Sequence, residues 1–376
     1  MEEVTKETTE LITETQSAPL CDEISSTVPL SKKEARKAKL LERQAAKRQL
    51  REEKKAEWKR AEEERKADWE KTKQFRKEKR ELEKDMGGGV NQGDVFIPNI
   101  PFVFPKNTDE QIIEVKKKRK IKLDKKYYNS LTGFLFKIGQ FFFKIIFYLI
   151  AFPLCRIRYH LKVEGRKNLK PYMKRLKKEG FITVSNHVFL WDYVALCASM
   201  RMGVPNVPAW GKIIYSKFGG LFSMAGVVPI PEDKTTFRKF YNFIDDILKH
   251  NKRNKWMHIY PETGLWYYYV PIRPFKKGAA TFAYQYDRPI VPIGYSFRER
   301  TGLSRLWHKK HPYVTVHICP PIWPDKTKEK RVAVEELTNQ ARMAIMHAVG
   351  IKDEEENQRI MDEHYKYEDG HYYTNL

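Results

Sequence analysis

The run "NSLTGFLFKIGQFFFKIIFYLIAFPLC", Asn129 to Cys155, restricts the folds open to this chain more than any other stretch. At 100° per residue, Gly133, Lys137, Gln140, Lys144, Tyr148 and Ala151 share an arc of about 80°, and Phe, Ile and Leu fill the rest of the wheel. About fourteen strongly apolar residues at roughly −0.3 to −0.6 kcal/mol each offset two lysines at up to about +3 each, so spanning a bilayer comes out near zero. A helix lying in the interface, lysines towards the headgroups, avoids that cost. Lys116, Lys117, Lys118, Arg119 and Lys120 precede it and gain about 1 kcal/mol per charge against anionic lipid. The alternative is an amphipathic helix buried on its own domain. The expectation is a membrane-interfacial helix over 127–157, ended or kinked by Pro153.

The rest of the 376 residues divides unevenly. Residues 1–30 are acidic and Thr-rich, without a basic segment leading into an apolar one, so they read as disordered and not as a signal peptide. Residues 31–86 predict a long charged helix: from Ser31 to Asp85, 22 residues are basic and 14 acidic, with no Pro or Gly. A strict heptad is missing, which favours a solvated extended helix over a stable coiled coil. Glycines and prolines make 87–126 a linker ending in the polybasic run. Residues 351–376, eight acidic against three basic, read as a solvated acidic tail. The net charge of +23 calls for an anionic partner: a membrane surface, nucleic acid or a phosphorylated substrate. Four scattered cysteines give no metal-ligand spacing, so neither a metal site nor a disulfide framework is expected.

Between 127 and 350 strands alternate with helices: "FITVSN", "DYVALCASMRM", "TTFRKFYNFIDDILKHNKRN", "KWMHIYPETG", "FKKGAATFAYQYD", "PIVPIGYSF", "YVTVHICPP", "VAVEELTNQARMAIMHAV". That order predicts an α/β domain, with a central mixed sheet flanked by helices. The expected whole is this domain, an N-terminal membrane-binding helix and the long charged helical extension.

Within "SNHVFLWDYV", His187 follows the end of a predicted strand, where α/β sheets bind ligands, and Asp192 lies five residues on. An imidazole can act as a base near neutral pH, and a carboxylate can hold its other nitrogen. This is the base and orienter of a triad without its serine, so the attacking group would be a hydroxyl of the substrate. On spacing alone the pair is close to chance: ten histidines and an Asp usage of about 5% give about 0.5 occurrences.

Further segments carry more weight. "NHVFLWD" resembles the NHxxxxD motif of the glycerolipid acyltransferases, the family related to 1-acylglycerol-3-phosphate acyltransferases. "YPETG" (Tyr260–Gly264) is similar to that family's [FY]-P-E-G-T block, "FKKGAA" (Phe275–Ala280) to its F-K-x-G segment and "PIVPIGY" (Pro289–Tyr295) to its V-P-V/I strand, all in the family's order.

The resemblance implies that His187 deprotonates a lipid hydroxyl, which attacks the thioester of an acyl-CoA or acyl-carrier protein while Asp192 orients the ring. No cofactor beyond that acyl donor is implied. The partners expected are the donor, a lysophospholipid acceptor and an anionic membrane surface at the cytoplasmic face, with no nucleic acid. Glu262, Thr263 and Gly264 would shape the acceptor site, and Lys276 and Lys277 beside Gly278 would meet a phosphate. Two departures matter. The "YPETG" block has Thr263-Gly264 in inverted order, and "AGVVPIPED", which lies where the family has a Gly followed by an Arg, lacks that arginine and holds Glu232 instead. Arg238 or Arg273 is the candidate replacement. The run Trp266-Tyr267-Tyr268-Tyr269 reads as a lipid-facing lip or an edge strand. Three rivals remain: the same fold acting on another lysolipid, a basic nucleic-acid or ribosome-binding protein with an inert His187, and a structural membrane-surface protein whose His187 is inert.

Overall fold

The computed structural model describes residues 32–82, 88–99, 102–114, 121, 123–131, 133–216, 218–231, 234–250, 255–302, 311–368 and 373–374. The disorder expected for 1–30, the polybasic run 116–120 and Glu232 lie outside these residues. The chain divides into two units, Met1–Lys71 and Thr72–Leu376. In the first, the helix Lys32–Leu82 begins, with Trp58 and Trp69 exposed and a Glu62–Lys66 ion pair of 3.1 Å.

The second unit is built on a mixed sheet of five strands, in the order Lys162–Glu164, Tyr313–Ile318, Ile290–Arg298, Phe181–Ser185, Trp256–Ile259. Only the pairing of Ile290–Arg298 with Tyr313–Ile318 is antiparallel. Phe181–Ser185 is buried at every position, as its unbroken β-branched and apolar run requires of a strand covered on both faces. Gly180, at φ +94°, turns the chain from the helix Met173–Glu179 into this strand; a Cβ there would meet the Lys255 Cβ at 2.5 Å. Helices Asp192–Met200, Gly278–Tyr286 and Lys330–Ala348 pack on the sheet and flank it as expected.

Two segments read from sequence as outside the core belong to it. Gly89–Gln92 and Val95–Pro98 form a hairpin, and Val95, Ile97, Phe102, Phe104 and Ile112 are buried, so 88–99 and 102–114 are no linker. Nor is 351–368, the described part of the expected acidic tail apart from 373–374, a solvated tail. Ile351, Asn357 and Ile360 are buried on the helix Glu354–His364 and its approach, and Lys366–Tyr367 pairs in parallel with Val103–Phe104. Both segments close over one aromatic cluster. Phe104 stacks on Trp266 at 5.2 Å and meets Tyr269 and Tyr365 at 4.9 and 5.7 Å. Trp266, Tyr268 and Tyr269 are therefore core residues rather than a lip or an edge strand. They sit in irregular backbone, with Tyr268 at φ +55°.

The apolar segment is one continuous helix, Phe134–Tyr159, the one helix among the described residues long and apolar enough to cross a membrane. Pro153 does not end it. A π turn over Phe147–Ala151 widens the helix just ahead of the ring and absorbs the missing N–H. Its orientation differs from expectation. Gln140 donates to the Met224 carbonyl, a Cβ added at Gly139 would lie 3.5 Å from the Met224 methyl, and Phe147 meets Tyr193, so part of the polar arc faces the protein. The outward side carries Phe134, Leu135, Phe141, Phe142, Ile146 and Leu149, each more than half exposed.

Candidate active site

The central strand ends at Ser185, and the next two residues hold the chemistry. Asn186 is fixed by reciprocal hydrogen bonds to the neighbouring strand: its Nδ2 donates to the Tyr295 carbonyl and its Oδ1 accepts from the Tyr295 N–H. His187 follows, with its carbonyl accepting from the Trp266 N–H at 3.0 Å and its own N–H donating to Glu262 Oε2 at 3.1 Å. Backbone on both sides is pinned before the side chain is considered.

The imidazole is held from two directions. Asp192 opens the helix Asp192–Met200 and lies 1% exposed, with Oδ2 at 2.5 Å from His187 Nδ1. Its Oδ1 accepts from the Tyr260 hydroxyl at 2.9 Å, and the Tyr295 hydroxyl donates to the Asp192 carbonyl. Tyr260 follows the end of the adjacent parallel strand, and its ring stacks on His187 at 3.8 Å. Burial, and the Asp192 charge beside it, push the Tyr260 hydroxyl far above its usual range, so it stays a donor. A carboxylate accepts, which assigns the hydrogen of His187 to Nδ1 and leaves Nε2 as the basic nitrogen. Among the described residues Nε2 has no hydrogen-bond partner, and the ring is 21% exposed.

Beneath Tyr260 lies a second histidine. His258 is fully buried, edge-on to Tyr260 at 4.3 Å, with Nδ1 at 2.9 Å from Thr183 Oγ1. Burial, and after it the nearby His187, push its pKa down to about 3. It is neutral at physiological pH and adds no positive charge next to a protonated His187.

The arrangement is an oriented base at the carboxyl ends of two parallel strands, open to an incoming hydroxyl. Residues 160–296, which contain all of it, match the family model described as Acyltransferase. Over that stretch the chain is similar to acyltransferase domains. No curated protein sequence matches the chain. Among solved structures, the 1-acyl-sn-glycerophosphate (LPA) acyltransferase PlsC from Thermotoga maritima is similar at 16% identity, over 55% of this chain and 96% of that one, with a TM-score of 0.31. A likeness that distant carries no argument here.

Elsewhere in the matched region the expected residues are distributed differently. Glu262 and Arg273 form a buried ion pair, 3.0 Å apart, each side chain 1% exposed. Glu262 Oε1 also accepts from the Arg273 N–H, and the guanidinium reaches the carbonyls of Thr108, Glu262 and Gly264 and lies over the Trp266 ring at 4.4 Å. Both are thus committed inside the protein, and Arg273 presents no free guanidinium to an acceptor phosphate. Glu262 instead ties this loop to the backbone of His187. Thr263 is exposed at φ +65°, a left-handed conformation costly for a β-branched residue, and this is where the family pattern has glycine. Gly264 is buried.

Lys276 and Lys277 are exposed and paired, at 2.6 Å with Asp109 and 3.2 Å with Glu335. Gly278 opens a helix with open space where a Cβ would lie. Arg238 is exposed on the helix Lys234–Asp245. Sequence reasoning missed Tyr260, His258 and Asn186 as supports. Tyr260 and Asn186 lie inside the quoted motifs; only the parallel pairing of their strands reveals what they hold.

Proposed function

We propose that this protein is a membrane-associated O-acyltransferase that moves a fatty acyl chain from acyl-CoA or an acyl-carrier protein to the free hydroxyl of a lysophospholipid. The simplest acceptor is 1-acylglycerol-3-phosphate, giving phosphatidic acid. The observation that carries this reading is the His187–Asp192 contact within a region similar to acyltransferase domains. Nε2 of His187 takes the proton of the acceptor hydroxyl as its oxygen attacks the thioester carbonyl. The tetrahedral intermediate collapses with loss of the thiolate, which takes the proton back from the imidazolium. Asp192, accepting from Nδ1–H throughout, keeps the ring in the reactive tautomer and stabilises its charged form.

The apolar helix supports the lipid half of the proposal. It packs on the helix that begins with Asp192, through Phe147 against Tyr193, and its last residue, Tyr159, meets Phe189 at 5.2 Å. An acceptor held in the bilayer would reach His187 without leaving it. The three buried, unpaired cysteines Cys155, Cys197 and Cys319 fit a reducing, cytoplasmic face. A second acceptor class is favoured by one finding: Arg273 is committed to Glu262, and both lysines are paired, so a lysolipid other than 1-acylglycerol-3-phosphate remains in play.

The test is His187→Ala, assayed in membranes with labelled acyl-CoA and a panel of lysolipids. Transfer should fall by about 10³-fold or more while membrane binding is kept. Transfer at the unmutated rate would sink the mechanism.

A further inference from the structure

Beside the apolar helix lies a cavity of about 810 Å³ that shares no lining residue with the site described above. Tyr148, Phe152 and Arg156, spaced by four along one face of that helix, form one wall. The matched region supplies the opposite wall, with Leu161, Val163, Arg166 and Arg201. A volume of this size suits a small molecule or a lipid headgroup with its first acyl carbons.

Three guanidiniums line this space, and among the described residues none has a carboxylate partner. Arg166 is anchored by Nε, which donates to the Ser199 carbonyl at 2.9 Å near the end of the helix Asp192–Met200. That bond leaves its two terminal nitrogens without a partner among the described residues. Arg201 follows the same helix in a left-handed conformation, φ 54°. Burial, and then the charges of Arg201 and Arg156, lower the pKa of Arg166. Guanidinium clusters with free N–H forks match phosphate oxygens in geometry as well as charge.

The rest of the lining separates a lipid from a free anion. Phe152, Ile157, Leu161 and Val163 give the cavity an apolar floor. Ile157 is 73% exposed and continues onto the outward apolar side of the helix through Leu154. Inorganic phosphate has no use for such a surface; an acyl chain does.

We infer that this cavity binds one membrane phospholipid by its anionic phosphate, held by Arg156, Arg166 and Arg201, with an acyl chain leaving along Ile157 and the apolar helix. The site is separate from the acceptor site and fixes the domain on a bilayer that contains anionic lipid. It rests on the membrane-associated reading, but not on the identity of the reaction.

The experiment titrates the full-length protein with dihexanoylphosphatidylglycerol below its micellar concentration, a phosphodiester that is neither acceptor nor product of the proposed reaction. Wild type should show one saturable site, and Arg156→Gln with Arg201→Gln should weaken it at least ten-fold, while turnover on detergent-dispersed acyl-CoA and lysolipid stays unchanged. Single Arg201→Gln, at an exposed position, should weaken binding by several-fold and serves if the double variant folds poorly. Unaltered binding in the variants, or no saturable binding in wild type, overturns the inference. Equal displacement by inorganic phosphate would make this a free-anion site and overturn the lipid. A matched loss of turnover would merge the cavity with the acceptor site and overturn its independence. If wild type binds the lipid yet transfers no acyl group, the proposed reaction fails and the lipid site stands.

Discussion

Residues 185–192 and the helix Phe134–Tyr159 touch each other, yet they are built on opposite terms. Around His187 nearly every polar group is answered: its N–H by Glu262, its carbonyl by Trp266, its Nδ1 by Asp192, and Asp192 in turn by Tyr260. One nitrogen, Nε2, is left without a partner among the described residues. Along the apolar helix, only 11% of the most apolar window is buried, and rings such as Phe141 and Phe142 face outwards. A reactive group needs an environment that fixes everything except the atom that reacts. A surface that meets hydrocarbon needs the reverse, with apolar area left uncovered and the few polar groups turned inward.

Each half of that contrast can be broken separately. The largest effect is expected from Asp192→Asn. The amide would offer an N–H towards His187 Nδ1, shift the ring hydrogen to Nε2 and remove the base, so kcat should fall by about 10³-fold with vesicle binding unchanged. Next is Glu262→Ala, which strands Arg273 as a buried, unpaired charge and releases the His187 N–H. A loss of about 3–5 kcal/mol in denaturation is expected. If stability is kept and only the KM for the acceptor rises, Glu262 contacts substrate instead.

On the other side of the comparison, Phe141→Ser, Phe142→Ser and Ile145→Ser together should weaken partition into vesicles by about 10²-fold, at roughly 1 kcal/mol for each half-buried chain. Thermal stability should hold, since all three are exposed. This sharpens the test that deleting 129–155 would offer, because that deletion would also remove Phe147 and Cys155 from the packed interior. The smallest effect is a gain: Thr263→Gly should stabilise by about 1 kcal/mol by relieving its left-handed backbone, read as a rise in melting temperature.

The alternating core elements and the His187–Asp192 pair were legible because their signals are local. A strand buried on both faces writes an unbroken apolar run, and a base with its orienter can be read five residues apart. What escaped depends on distance. Phe104 gives no sign in its Pro-rich surroundings that it will stack on Trp266, and "WYYY" has the composition of a lip until partners from 102–112 and 351–367 cover it. The wheel of the apolar helix showed the polar arc correctly but not its direction, which is set by the carbonyl of Met224. The resemblance pointed to Glu262 and Arg273 as acceptor contacts; only their mutual burial shows that the loop uses them on itself.

The pairing of Lys366–Tyr367 with Val103–Phe104 joins strands about 260 residues apart. The second strand leaves the ribosome long after the first, so the aromatic cluster around Trp266 stays open until Tyr365 and Lys366–Tyr367 have emerged. The loop carrying Glu262 leads directly into that cluster, so the brace on the His187 backbone lies beside packing that only residues 365–367 complete. Closure of the cluster beside the reactive centre thereby waits on a segment more than 160 residues downstream of His187.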